Sequence, residues 1–162
     1  MGAVGQVVPG EAQRRPAGPD ERVLLGAVGA EPLHVLVPDA GVLFAGDLVE
    51  TGQFSIFPWF PPHDTDVSGL GWIEVVRSLR GLDPGIVVPG HGAVGDAGRL
   101  ADVQEYLEWL RDATWARRDT TADLDTIVAE VTAEAIARHP DWSGREWIAP
   151  GVGCLCMEDP GT

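Results

Sequence analysis

Basic residues are scarce in this chain: Lys and Arg together number 11 against 25 Asp and Glu, a formal charge of −14 over 162 residues. A surface of that sign repels phosphate backbones and anionic headgroups, which argues against nucleic acid and membrane surfaces as partners. Long apolar runs are missing as well. The longest stretch of apolar residues and glycine, Val23 to Ala30, falls far short of the ~20 residues that span a bilayer. The N-terminus lacks a charged segment followed by an apolar one, and Gln6 stands where a myristoylation signal needs Ser or Thr, so a cytoplasmic location is expected. Cysteine is nearly absent. Cys154 and Cys156 are too close in sequence for an ordinary structural disulfide, and with no second pair or adjacent histidine they make a poor metal pair; two reduced thiols are expected. Nucleophile-elbow, P-loop and dinucleotide fingerprints do not occur.

What is present is a 44% hydrophobic chain long enough for one domain with its own core. Residues 1–22 are dense in Gly, Pro and charge, show no period, and read as loop or disordered sequence. Residues 23–118 carry the pattern of an α/β unit. Short apolar runs at Val23–Val28, Leu33–Val37 and Val42–Ala45 read as strands, with the last two forming a hairpin across the turn signal at Asp39 to Gly41. Thr51–Ser68, with prolines at 58, 61 and 62, reads as a long loop. Trp72, Val75, Val76, Leu79 and Leu82 recur at helical spacing, and "GIVVPG" follows as a short strand. Asp96 is placed to cap a helix bearing Leu100, Val103, Leu107, Leu110 and Thr114. In a helical extension over 119–162, a helix is expected from Thr120, with Leu124, Ile127, Val128 and Val131 on its buried stripe and a stop before Pro140.

Two residues stand out for chemistry. Asp47 closes the apolar run "VLFAGD" and His91 closes "IVVPGH", so a carboxylate and an imidazole each leave a strand end, a common placement for metal ligands. The phrases "VLFAGDLV" and "IVVPGHG", separated by the helix bearing Trp72 and followed by a long amphipathic helix, resemble the C-terminal half of the metallo-β-lactamase superfamily from about Leu25 to Thr114. The resemblance implies half of an αββα sandwich with C-terminal helices added, binding one or two metal ions, usually zinc, whose bound hydroxide attacks an ester, thioester, lactam or phosphoester. It implies that Asp47 bridges the metals and that His91 ligates one of them. Glycines on both sides of His91 suit a close approach of its loop to an ion.

The chain also departs from that family. The string H-x-H-x-D-H is absent, and Val28 stands where a further histidine ligand precedes the hairpin, leaving Asp47 and His91 against the three protein ligands that catalytic zinc ordinarily takes. His34, within the first hairpin strand, is expected to face along the sheet. His63 on the loop is a candidate substrate contact, together with Trp59 and Phe60; the loop aromatics, Phe54 and Phe57 included, either cover a core edge or line an apolar pocket. Asp64 and Asp66 lack the rest of a calcium loop. His139, at a helix end, reads as a cationic cap favoured by the helix dipole. Three readings follow: an incomplete, truncated metallo-hydrolase, inactive alone; a non-catalytic partner subunit retaining half of the fold, paired as a homo-oligomer or with a complementing chain; or a hydrolase acting on a small molecule through a site rebuilt with His34 or His63.

Overall fold

The sheet is organised by one tight reversal and one crossover. In the computed structural model, which describes residues 34–63, 65–120 and 123–159 and the backbone of 23–24, Pro38–Ala40 form a single 3-10 turn. Gly41 closes it in the left-handed region (φ 62) and donates its N–H to the Pro38 carbonyl at 3.1 Å. Strands β2 (Val35–Val37) and β3 (Val42–Glu50) therefore pair antiparallel, and β1 (Val23–Leu24) adds to the far side of β2. The expected hairpin is present, with two differences: His34 precedes the first strand, and the second runs on past Ala45 to Glu50. Helix α1 (Gly69–Arg80) then carries the chain across to β4 (Ile86–His91), which lies parallel to β3, giving the order β1-β2-β3-β4. The Gly- and Pro-rich segment 1–22 lies outside the described residues, as does Val28.

Register sorts the sheet into two faces. Leu43 pairs with Leu36 on one side and Val87 on the other, and Leu43, Ala45 and Val87 are fully buried beneath the helices. The opposite face carries Val35, Val37, Val42, Phe44, Ile86 and Val88, of which Phe44 is 48% and Ile86 44% exposed. This is an α/β fold with one sheet and helices on one side of it among the described residues.

The remaining helices are α2 (Gly98–Arg118), α3 (Leu124–Arg138) and α4 (Ile148–Met157). Asp96 Oδ1 accepts the Gly98 N–H at 2.9 Å ahead of α2. Asp123 caps α3 through the Thr126 N–H, so that helix begins at Leu124 rather than Thr120. Its buried stripe is Ile127, Val131 and Ala135; Leu124, in the first turn, is 42% exposed. Beyond the expected stop before Pro140, residues Ile148–Met157 of the extension form α4. Pro150 sits in its first turn, where a missing N–H costs nothing, and Ile148, Val152 and Leu155 are buried in the common core.

Polar ties join the C-terminal helices to the sheet layer. Glu158 receives the Ser68 hydroxyl at 2.5 Å and the Leu70 N–H at 3.1 Å, so its carboxylate sits on the N-terminus of α1, where the helix dipole favours negative charge. The Trp72 indole donates to the Leu48 carbonyl at 3.0 Å and pins α1 to β3. Cys154 donates to the Val67 carbonyl, and both cysteines are free thiols. No helix among the described residues is long and apolar enough to cross a membrane. Replacing Glu158 with Ala removes the shared cap, and the expected cost is about 1 kcal/mol of unfolding free energy in urea titration; an unchanged midpoint would contradict the capping role.

Candidate metal centre

Strict alternation along β3 would place Asp47 on the buried side with Leu43 and Ala45. It does not lie there: Asp47 is exposed, whereas Leu48, Val49 and Glu50 are all buried. The reason is a break in the ladder. Gly46 takes a left-handed conformation (φ 54), and between the pairs Gly46–Pro89 and Glu50–His91 β3 advances four residues while β4 advances two. Extra residues in one strand bend it and re-aim its side chains. Asp47 therefore lies within a strand instead of at its exit, yet is turned outward all the same.

The slip brings three donors together. Asp47 Oδ1 lies 3.6 Å from His91 Nε2. Asp47, Glu50 and His91 each offer one ligand atom, all within 4.8 Å of one another, the one such group of three among the described residues. Close packing of the two strands enforces this: a Cβ on Gly90 would stand 2.2 Å from Asp47 Oδ1 and 2.7 Å from the Gly46 carbonyl carbon, and one on Gly92 would stand 2.2 Å from the Thr51 carbonyl oxygen. Both glycines beside His91 thus allow β4 to approach β3. The Thr51 N–H donates to the His91 carbonyl at 3.0 Å, fixing the ladder just beyond Glu50.

Glu50 is the residue that the sequence pattern missed. It is 3% exposed; its Oε2 accepts the Ile56 N–H at 2.7 Å as the loop after β3 curls back, and its Oε1 is buried with no hydrogen-bond partner. Burial pushes the carboxyl up to about 7, the Ile56 N–H works against that rise, and the negative charge of Asp47 adds to it. The available signal was a second acid, separated from Asp47 by the apolar pair Leu48 and Val49. Alternation hid it, because residues three apart on an unbroken strand face opposite ways.

The other sequence candidates lie elsewhere. His34 is 3% exposed with neither ring nitrogen hydrogen-bonded, and burial lowers its pKa, favouring the neutral ring. His63 is exposed on the loop, its N–H donating to the Phe60 carbonyl at 3.1 Å. Trp59 packs on α4, where a Cβ on Gly153 would meet its ring at 2.3 Å; Phe60 is half-exposed with its ring 6.4 Å from that of Trp147. Phe54 and Phe57 are fully buried, so these two cover the core. His139 does stand at the C-cap of α3, its backbone N–H donating to the Ala135 carbonyl at 3.0 Å, but its surroundings disfavour the cationic ring. It stacks on Trp142 at 3.8 Å and meets Tyr106 and Phe54 edge-on, and burial, with Arg138 beside it, lowers its pKa. Asp64 lies outside the described residues.

On this α/β fold the ends of β3 and β4 bring two carboxylates and an imidazole together, a donor set that could hold a metal ion. Residues 19–91, under half of the chain, match the metallo-beta-lactamase superfamily, the match ending on His91. No curated protein matches. Among solved structures, the chain is similar to a metallo-beta-lactamase from Pontibacter korlensis at 26% identity, over 51% of this chain and 38% of that one, with a TM-score of 0.41. It is similar to VMB-1 at 26% identity over 46% and 33% (TM-score 0.38), and to the DIM-1 metallo-beta-lactamase at 23% over 46% and 34% (TM-score 0.38). It spans about a third of the length of these solved structures.

The raised pKa of Glu50 fixes a pH dependence. Its value in the fold lies above the ordinary 4.5, so the folded chain holds that proton more readily than the unfolded one. The resulting stabilisation is full below about pH 4.5 and is lost as pH rises to about 7. Between pH 5 and pH 8 the metal-free chain is expected to lose about 2–3 kcal/mol of unfolding free energy from this group. Glu50→Gln, which keeps an acceptor for the Ile56 N–H, should flatten that slope in urea titrations; an unaltered slope would contradict it.

Proposed function

We propose that this chain is an incomplete member of the metallo-β-lactamase-fold hydrolases, carrying the C-terminal half of the sandwich and, through Asp47 and His91, part of a zinc centre. The observation that carries the reading is the 3.6 Å approach of Asp47 to His91 across a slipped parallel strand pair. The donor set suits the metal: one imidazole nitrogen and carboxylate oxygens are ordinary zinc ligands, and the buried, unpartnered Glu50 Oε1 beside them is what a neighbouring cation would satisfy. When bound, zinc supplies a water acidic enough to attack an ester, thioester or related bond. The chain's own part is to hold the ligands at the open ends of β3 and β4. Substrate contact by His63, Trp59 and Phe60 belongs to this proposal, with a small molecule as substrate and nucleic acid disfavoured by the charge of −14. A cytoplasmic setting accords with two unpaired thiols.

A second reading, a non-catalytic subunit completed by another copy or a complementing chain, is favoured by the outer sheet face. Six apolar side chains there, Phe44 and Ile86 half-exposed among them, leave a surface that a second sheet would cover. Turnover and association together test the two. The zinc-loaded chain alone is expected to hydrolyse thioester, lactam and phosphodiester substrates no faster than zinc in buffer. In sedimentation velocity it should associate as concentration rises, and Phe44→Asp should weaken that association about tenfold or more. A monomer at every concentration that turns over one of these substrates would contradict the proposal.

A further inference from the structure

Neither the fold nor the Asp47–His91 pair accounts for Glu50. A carboxylate 3% exposed needs partners, because an ionised group out of water is strongly disfavoured unless paired. Among the described residues its hydrogen-bond partner is the Ile56 N–H, on Oε2; Oε1 is buried and unpartnered, and no basic side chain pairs with the group. The two strands depart from regular pairing twice on the way to this point, two residues against one between Phe44–Val88 and Gly46–Pro89 and four against two from there to the Glu50–His91 pair, on which the larger slip ends. Without that slip, residues 47 and 50 would face opposite sides of the sheet.

We infer that Glu50 is a third metal ligand, so that Asp47, Glu50 and His91 form a divalent-cation site of one imidazole nitrogen and two carboxylate oxygens that this chain holds without donors from elsewhere. The inference rests on the reading of Asp47 and His91 as ligands and deepens it, since it supplies from within the chain the donor that the ligand count lacked. Ligands on one zinc at about 2.0–2.2 Å stand roughly 3–4 Å apart. The three donor atoms here lie within 4.8 Å, with Asp47 and His91 at 3.6 Å, so closure needs only small side-chain rotations. The Ile56 N–H on Oε2 serves the role that an outer hydrogen bond serves at many metal sites, fixing the carboxylate so that its other oxygen faces the ion. With a single imidazole and two carboxylates, first-row cations such as Zn²⁺ fit better than soft-metal cargo, which would call for thiolates.

The test is calorimetric titration of the full chain with Zn²⁺ at pH 7.5, for wild type, Glu50→Gln, Asp47→Asn and His91→Ala, each shown by its urea midpoint in chelator to be folded. One ion per chain is expected, with Glu50→Gln weakening binding by about tenfold or more and the other two variants doing likewise. If Glu50→Gln binds as wild type does while Asp47→Asn and His91→Ala lose the ion, Glu50 is a structural acid: the inference falls and the proposed function stands. If Asp47→Asn and His91→Ala keep full affinity, that reading of the pair falls instead. A wild-type chain that binds no zinc overturns both. A measurement independent of any variant's folding is the infrared difference spectrum of the wild-type chain with and without Zn²⁺, in which carboxylate bands from two side chains should shift; a change in one alone counts against Glu50.

Discussion

The pairing of β3 with β4 is the constraint on which the rest of the molecule depends. A parallel ladder in perfect register would bury Asp47, expose Leu48 and separate Asp47 from Glu50. The slip after Gly46 reverses this: it turns Asp47 to solvent and keeps Leu48, Val49 and Glu50 inside. It is possible only because Gly90 has no Cβ to strike Asp47 and Gly46, so backbone approach and ligand convergence are one event. Such irregularities weaken a sheet and are retained where they re-aim side chains, which is the use made of this one.

The C-terminal helices act on the same place from beneath. The Phe54 N–H donates to the Ser143 carbonyl and the Ser143 N–H to the Gly52 carbonyl, so the segment after α3 holds down the loop that covers Glu50. Under it, Phe54, Tyr106, His139 and Trp142 form an aromatic layer with ring separations of 3.8 to 6.3 Å. Burial there, with the charge of Glu50 nearby, pushes the Tyr106 phenol well above its ordinary range. Burial is likewise the main reason why the Glu50 carboxyl rises. The Trp72 indole, on the Leu48 carbonyl, ties the same strand to α1, and Glu158 ties the N-terminus of α1 to the end of α4. The extension and the sheet layer therefore share one core.

Much of this was legible in the residues, for reasons that can be named. Apolar runs broken by Asp39 to Gly41 and by Asp83 to Gly85 marked the hairpin and the crossover, and helical spacing of Leu100, Val103, Leu107 and Leu110 marked α2, because local turn chemistry and hydrophobic period act over a few residues. Asp47 and His91 were visible as polar residues closing such runs. Glu50 was not, since its place depends on a register break between strands that are distant in sequence. His139 was misread for a similar reason: its helix-end position suggested a cation, but its environment is set by Trp142 and Tyr106, which arrive from other parts of the chain. The tail resisted assignment because α4 is buried on most sides and so shows no amphipathic period.

The chain thus joins an α/β layer, whose residues 19–91 match the metallo-beta-lactamase superfamily, to an internally supplied cluster of donors, and in the proposed account ion binding is separable from turnover. Catalysis in the proposed account waits on the second layer; metal capture does not. The most direct measurement is a crystal of the chain grown with Zn²⁺ and recorded at the zinc absorption edge. The account predicts one anomalous peak about 2.0–2.2 Å from Asp47, Glu50 and His91 side-chain atoms at the ends of β3 and β4. A peak coordinated elsewhere, or none at that position at full zinc saturation, would contradict it.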